Sequence, residues 1–388
     1  MKKISLFAYV FLTITISAQG KKFFETGEAV LKNPVEKVNL NFEYELPLVK
    51  VEIDGKMYQF LFDTGAPTVI SFAIFNQLKL KEKHTSKVSD SQKNKQKQIF
   101  TEIPEMKIDN IIFKNIGTVV MDLQGTEFGC IKIDGIIGAN QMAKLFWRIN
   151  YSENNLEATQ NLTNFSIERY ETIFSFDPKM QKTPIIEAKI LDKKIEMTFD
   201  TGFTGSMKIL DKYFDPKKGN VKFVETYGIA SIGAFGAGKP QVSYHFKTGE
   251  IIIDQKKFGN QLIVTGSTSL LGNEFLKKFS YILDWKNSKI YLHQIKEDEP
   301  KLESFGFGYR FIDNKAKVVL LFNDKDFPLK FDDEILSINH ISLENLTNET
   351  VCTYMLNRIE KDVNVINIKI KREGKVLNFV IAKKEYLE

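Results

Sequence analysis

Cysteine and histidine are nearly missing from this chain. Among 388 residues there are two cysteines, Cys130 and Cys352, and four histidines, His84, His245, His293 and His340. The cysteines fall in what read as different domains, so no structural disulfide is expected. The histidines are scattered. No pair has metal-ligand spacing, and HExxH and CxxC are both absent, which leaves zinc and dithiol chemistry without their ligands. The GxSxG elbow of serine hydrolases is missing too. GAFGAGKP, at 233–240, has the spacing of a phosphate loop, but Pro240 stands where the magnesium-binding hydroxyl belongs. No cofactor and no metal is called for.

Long apolar runs are also missing beyond the first twenty residues. Those read MKKISLFAYVFLTITISAQG, with Lys2 and Lys3 ahead of an apolar run at 4–16 and then Ser17 and Ala18. This is the pattern of a secretory signal peptide over 1–18. The run is shorter than the roughly 20 residues a membrane span needs, so no stable membrane insertion is expected. Net charge is +5, two of it in the leader. That balance does not point to nucleic acid. The lysine-rich stretch 87–98 reads as a solvated loop.

What is present is a repeat. FDTG occurs at 62–65 and again at 199–202. Upstream stand VKVEIDGKMYQFLFDTG and IEAKILDKKIEMTFDTG, each a strand, a turn (Asp54-Gly55; Asp192-Lys193) and a second strand ending on the carboxylate. Downstream, MKIDNIIFKNIGTVVMD parallels IIIDQKKFGNQLIVTG. Then two aliphatic residues precede a glycine in both copies, Ile136-Ile137-Gly138 and Leu270-Leu271-Gly272, and a short helical stretch follows. The first copy carries extra residues before its glycine, around LQGTEFGCIK. Residues 40–160 and 181–296 therefore read as two copies of one mostly-β unit. The connection at 160–181 has a helical reading in FSIERYETIF.

Two copies of one carboxylate have a chemical use. Carboxylates about 3 Å apart cannot both ionise cheaply, so they share a proton. One member can then accept a proton from water while the other donates to a carbonyl oxygen. This suits addition of water to an amide without a metal.

These residues resemble the pepsin/retropepsin superfamily of aspartic proteases, in its two-lobed, single-chain form. The resemblance rests on Asp63-Thr64-Gly65 with Gly138, and Asp200-Thr201-Gly202 with Gly272, and covers about 40–296. It implies two β-barrel lobes related by a pseudo-two-fold axis, with Asp63 and Asp200 as the catalytic pair. Thr64 and Thr201 would lock the loops together, and Gly65 and Gly202 would let amides approach the carboxylates. Gly138 and Gly272 would pack beneath. Ala66 and Phe203 depart from the digestive enzymes, which carry a hydroxyl there; the pattern is closer to the retroviral type. By spacing, the candidate flaps are 84–98 and 227–239. Tyr227 reads either as a flap aromatic or as a packed strand residue.

At 296–301 the chain turns charged, KEDEPK, which reads as a linker. The remainder orders as strand, strand, short helix, strand, helix, strand, strand, with REGK as a hairpin turn. FGFGYRF and FDDEILSINH resemble a bacterial PDZ domain, although Asp332 stands where that family usually has Gly. The resemblance implies that the loop Phe305-Gly306-Phe307 binds a peptide carboxylate while the peptide adds a strand; a module that only caps is the alternative.

The sequence thus points to a mainly β protein: a signal peptide at 1–18, protease-like lobes at 19–180 and 181–296, and a PDZ-like α+β domain at 300–388. The expected activity is peptide-bond hydrolysis on peptides or proteins, with a protein C-terminus as a second partner at the PDZ-like domain. With both aspartates in one chain, a monomer suffices. The leader, the few cysteines and the PDZ type suggest export to the periplasm or exterior of a Gram-negative bacterium. The alternative is an inactive exported peptide-binding protein using the same cleft.

Overall fold

In the computed structural model, residues 7–8, 12–14, 23–124, 127–218, 221–249, 251–297 and 299–387 are described. Most of the expected signal peptide lies outside them. Two short pieces of it, Phe7–Ala8 and Leu12–Ile14, run beside Ser231–Ile232 and Val88–Asp90. Among the described residues no helix is long and apolar enough to cross a membrane.

The chain is mainly β, and its two repeats make the same pairings. Lys56–Asp63 runs parallel to Gly135–Gly138, as Lys193–Phe199 does to Leu270–Leu271. Val69–Ser71 is wedged between Gly135–Gly138 and Ile111–Met121. Met207–Leu210 is wedged likewise between Leu270–Leu271 and Gln261–Gly266. The hairpins feeding these strands turn at Asp54-Gly55 and at Leu191-Asp192, all four residues at positive φ. The second turn is thus one residue earlier than its Asp192-Lys193 reading, which places Leu191 in a conformation that costs a branched residue more than glycine.

A third sheet joins the halves. Phe146–Asn150 pairs antiparallel with Phe279–Asp284 across the repeat boundary. Trp147 packs edge-on against Phe62 at 4.9 Å, and its counterpart Tyr281 against Phe199 at 5.4 Å. Each strand that ends on a carboxylate is thereby backed by one large, fully buried ring. The connection joins this sheet as well. Where FSIERYETIF suggested a helix, Thr172–Ser175 is a strand on Lys289–Gln294. Its burial alternates, with Thr172 and Phe174 in and Ile173 and Ser175 out, a period of two that no helix satisfies.

The stretch 87–98 is not a solvated loop. His84–Asp90 and Lys95–Ile108 form a hairpin, and Val88, Asp90, Ser91 and Gln98 on it are buried. The lysines occupy the outward positions of the alternation, which hid the strand behind its charge.

Residues 303–385 build a smaller region with its own core of Phe305, Phe307, Val318, Ile335, Ile338, Ile366, Ile368 and Ile370. The short helix expected between its second and third strands is irregular chain with turns at 325–326 and 331–332. The helix Asn348–Leu356 starts on a capping box, Thr347 with Thr350. Asp332 takes φ 70°, doing the conformational work of the glycine it stands in for. REGK turns as read, with Glu373 and Gly374 at positive φ.

This region is fastened to both halves. Its strand Lys315–Phe322 pairs with Phe223–Gly228 of the second half, through Thr226↔Phe322, Tyr227↔Leu321 and Gly228↔Leu320. Tyr227 is a strand residue at that junction, 5.8 Å from the Phe331 ring. The expectation that the cysteines stay apart is overturned. Cys130 and Cys352 form a disulfide spanning 222 residues. The extra residues of the first repeat carry Cys130 on Glu127–Ile131, and the capped helix carries Cys352. The reading of separate domains did not exclude a bond, because residues 303–385 pair onto the second half and lie against the first.

A cross-link over so long a loop removes much unfolded-chain entropy. Cys130→Ser with Cys352→Ser should lower unfolding stability by about 2–5 kcal/mol. Limited proteolysis of the double variant should cut first around 296–301, releasing the C-terminal region; an unchanged cleavage pattern would show that the strand pairing alone holds it.

Candidate active site

Both FDTG turns come to one place because each sits at the end of a strand in the middle of its sheet. Asp63 and Asp200 are fully buried. The Asp63 Oδ1 accepts from the Gly65 amide at 2.7 Å, and the Asp200 Oδ1 from the Gly202 amide at 2.9 Å. The Oδ2 atoms of both accept no hydrogen bond among the described residues.

The glycines explain how closely the turns approach. A Cβ on Gly65 would lie 2.7 Å from the Asp200 carboxyl carbon, and one on Gly202 would lie 2.3 Å from the Asp63 Oδ2. Any side chain there would hold the turns apart. Gly138 and Gly272 sit directly beneath: a Cβ would meet Pro67 backbone at 2.0 Å and the Phe203 carbonyl at 2.4 Å. The next amides complete the layer, Ala139 to the Ala66 carbonyl at 2.9 Å and Asn273 to the Phe203 carbonyl at 2.7 Å.

The threonines tie the turns to each other. The Thr64 hydroxyl accepts from the Thr201 amide at 3.0 Å and donates to the Phe199 carbonyl at 2.5 Å. The Thr201 hydroxyl accepts from the Thr64 amide at 3.0 Å and donates to the Phe62 carbonyl at 2.7 Å. Four hydrogen bonds thus cross between the halves, two from each hydroxyl, with no solvent access.

Several residues that the sequence did not single out brace this arrangement. Asn140 accepts from the Thr68 amide at 2.7 Å and hydroxyl at 2.9 Å, fixing the chain after the first turn. Asn273 donates to the Thr201 carbonyl at 2.7 Å and accepts from Tyr151 at 3.0 Å, which accepts in turn from Tyr281 at 2.8 Å. Gln181 donates to the Gly65 carbonyl at 3.2 Å. Asn273 directly follows its aliphatic-glycine segment and Asn140 stands two residues after Gly138, and that proximity was the available signal.

Burial sets the electrostatics. It pushes the Asp63 carboxyl well above the ordinary range, and the Asp200 charge beside it raises it further. Burial lifts Asp200 to about 7 against the amides of Gly202 and Phe203, which pull it down. Ala66 and Phe203, both fully buried, bring no hydroxyl to the pair. The pair therefore keeps at least one proton at neutral pH.

Two hairpins, one from each half, meet each other through hydrogen bonds. Asp90, near the tip of the first, accepts from the amides of Gln92 and Asn94 at 2.9 Å and from the Phe235 amide of the second at 2.9 Å. Asn94 donates to the Ala237 carbonyl at 3.2 Å, and Ser231 donates to Gln92 at 3.0 Å. Ala234 and Phe235 then pack into the cluster that holds Ala66, Leu61 and Val69. Both candidate flap segments thus belong to these hairpins.

Residues 49–140 match a family model described as aspartyl protease. The match supports an aspartic protease of retropepsin-like type. It covers the first carboxylate turn and the Gly138 segment, about a quarter of the chain. No curated protein matches the chain. Among the described residues no group of three or more His, Cys, Asp or Glu could hold a metal ion.

The loop Phe305-Gly306-Phe307 lies away from the carboxylates, in the C-terminal region. Its phenylalanine rings sit in that region's core. The Gly306 amide donates to the Ser304 hydroxyl at 3.0 Å, and its carbonyl accepts from the Phe322 amide at 2.9 Å.

Two outcomes follow from the site's physics. Thr64→Val keeps shape but strands the Thr201 amide and the Phe199 carbonyl, and should cost about 2–5 kcal/mol of stability; Thr64→Ser should restore most of it. An equal effect of Val and Ser in thermal unfolding would contradict the crossed-bond account. The second concerns pH. A carboxyl that ionises near 4 when unfolded but near 7 when folded contributes its stability fully below the lower value and loses it as pH rises. Asp200→Asn should therefore stabilise the protein at pH 8 relative to pH 4 by roughly 2–4 kcal/mol. A difference that does not depend on pH would mean the carboxyl is not held protonated.

Proposed function

We propose that the chain is an exported aspartic endopeptidase, with Asp63 and Asp200 as its catalytic pair. The observation that carries this reading is the symmetry of the buried pair: each carboxylate is held by its own turn's amide and crowded by the opposing turn's glycine. In this reading the pair begins with one proton, on Asp63. Ionised Asp200 takes a proton from water as the water oxygen attacks the amide carbon. Asp63 gives its proton to the carbonyl oxygen, producing a neutral tetrahedral diol. Collapse of the diol returns one hydroxyl proton to a carboxylate, passes the other carboxyl's proton to the amide nitrogen and breaks the C–N bond. The pair ends as it began, with one proton.

The lobes in this proposal are 19–180 and 181–296. The hairpins joined by Asp90 and Phe235 are its flaps, closing over substrate and excluding water. One chain supplies both carboxylates, so a monomer is sufficient. Residues 300–388 form a PDZ-like module whose strand Phe307–Ile312 pairs on one side only among the described residues, leaving an edge for a peptide strand. The Gly306 amide is already taken by Ser304, which argues against a carboxylate held at that amide and favours recognition along the strand. Because the module pairs with the hairpin strand Phe223–Gly228, a peptide bound there would bear on flap position.

The deciding experiment incubates the chain from residue 19 onward with a diverse peptide mixture between pH 5 and 8 and reads products by mass spectrometry. Cleavage should fall at least about 100-fold in Asp63→Asn and in Asp200→Asn alike. Cleavage that survives either substitution would contradict the shared pair. Binding without cleavage in the unaltered protein would favour a peptide-binding protein instead.

A further inference from the structure

A strand at the end of a sheet carries backbone N–H and C=O groups with no neighbour, and proteins blunt such edges with brevity, charge, proline or a bulge. This chain does so nearly everywhere. Among the described residues, the strands that end its sheets are two to four residues long, with one exception. Lys375–Ala382, the second strand of the REGK hairpin, has eight residues. It pairs on one side only, with Val365–Arg372, in an unbroken register. From Val376 to Ala382 it carries no charge, no proline and no glycine. The opposite edge of the same region, Phe307–Ile312, is shorter, shifts register at Gly308-Tyr309 and carries Arg310.

Both faces of Lys375–Ala382 are under-covered. On the outward face Val376 is 50% and Val380 70% exposed. On the inward face Leu377 and Phe379 are only half-buried against the core, whereas Ile366, Ile368 and Ile370 of the neighbouring strand are at most 1% exposed. One more strand beyond the edge would cover both faces.

The order of the residues says which strand fits. About Asn378 the sequence is symmetric in kind: Leu377 and Phe379 flank it, then Val376 and Val380. An antiparallel copy of the same strand, with a two-fold axis at Asn378, sets Val376 against Val380, Leu377 against Phe379 and Asn378 against itself. Opposed residues then share a face, as a ladder requires. The same register brings the turn residue Glu373 of each copy beside Lys383 of the other. Moving the axis to Leu377 or Phe379 would set Asn378 against a valine instead.

We propose that this edge is an interface with a second copy of this chain, formed by antiparallel pairing of Lys375–Ala382 with its own counterpart about Asn378. Two C-terminal regions become one continuous sheet, and the open backbone groups of both are satisfied. On the axis each Asn378 amide donates to the other's carbonyl. The cost of leaving these amides unpaired in a slipped register holds this one in place. The inference does not depend on the protease reading, and it leaves Phe307–Ile312 free at the far edge.

Sedimentation equilibrium of the protein from residue 19 onward, across the micromolar range, tests it. The unaltered protein should show a monomer–dimer equilibrium. Val376→Lys and Val380→Lys change exposed side chains, so each should unfold at the temperature of the unaltered protein in dilute solution while raising the dimer dissociation constant about tenfold or more. Asn378→Cys should cross-link two copies on mild oxidation, because opposed Cα atoms stand about 4.5–5.5 Å apart, within disulfide reach. The two native cysteines are already paired with each other. Met57→Cys, at a residue 61% exposed in the first half, should not cross-link. A protein that stays monomeric across the range, with no cross-link through Asn378→Cys, would overturn the proposal and leave the edge to a strand of another protein. A dimer that Val380→Lys does not weaken would overturn it too, by placing the contact elsewhere.

Discussion

The crossed threonine hydrogen bonds are the constraint on which the rest depends. Each hydroxyl reaches over the boundary between the halves, accepting from the other threonine's amide and donating to the carbonyl ahead of the other aspartate. Those bonds are buried, so leaving one unmade would cost the desolvation of both partners. They fix the spacing of the two turns that carry Asp63 and Asp200. The glycines make the spacing sterically feasible, and Trp147 and Tyr281 stiffen the strands from behind. Burial, with this enforced closeness, raises both carboxyls above their ordinary range.

The same logic extends outward. The two hairpins are joined by a carboxylate, Asp90, that caps its own tip and holds the opposing amide of Phe235. One hairpin continues by strand pairing into the C-terminal region. That region is bound back to the first half by Cys130–Cys352, and Lys247 on the hairpin faces Glu385 at 4.0 Å. His245, buried beside Phe322 and held near Thr226 at 3.2 Å, lies at this junction and is pushed down to about 4. The second hairpin and the C-terminal region are therefore joined by strand pairing and an ion pair, and that region to the first half by a disulfide.

How much of this was legible in the sequence depended on how local the signal was. The carboxylate turns, their glycines and the aliphatic-glycine segments repeat in order, and a duplicated pattern of period two is hard to misread. The internal repeat also foretold that the second copy would pair as the first does. The reading failed where the decisive partner was distant. Cys130 and Cys352 are 222 residues apart, and no spacing rule connects an inserted segment to a helix in another region. The strand at Thr172–Ser175 read as a helix because only its place at a sheet edge reveals its alternation. The lysines at 87–98 masked a hairpin whose inward face is Val88 and Asp90. Asp90, Asn140 and Asn273 carry ordinary residue types, and their importance appears only once the fold brings their partners near.

The shared proton can be observed directly. With aspartate labelled at the carboxyl carbon, 13C NMR of the protein from residue 19 onward, assigned with Asp63→Asn and Asp200→Asn, follows both groups through a pH titration. The account predicts that both resonances move together, that one carboxyl keeps its proton beyond pH 7, and that the coupled step falls near 7. Two independent ionisations near 4, as for exposed aspartates, would contradict it.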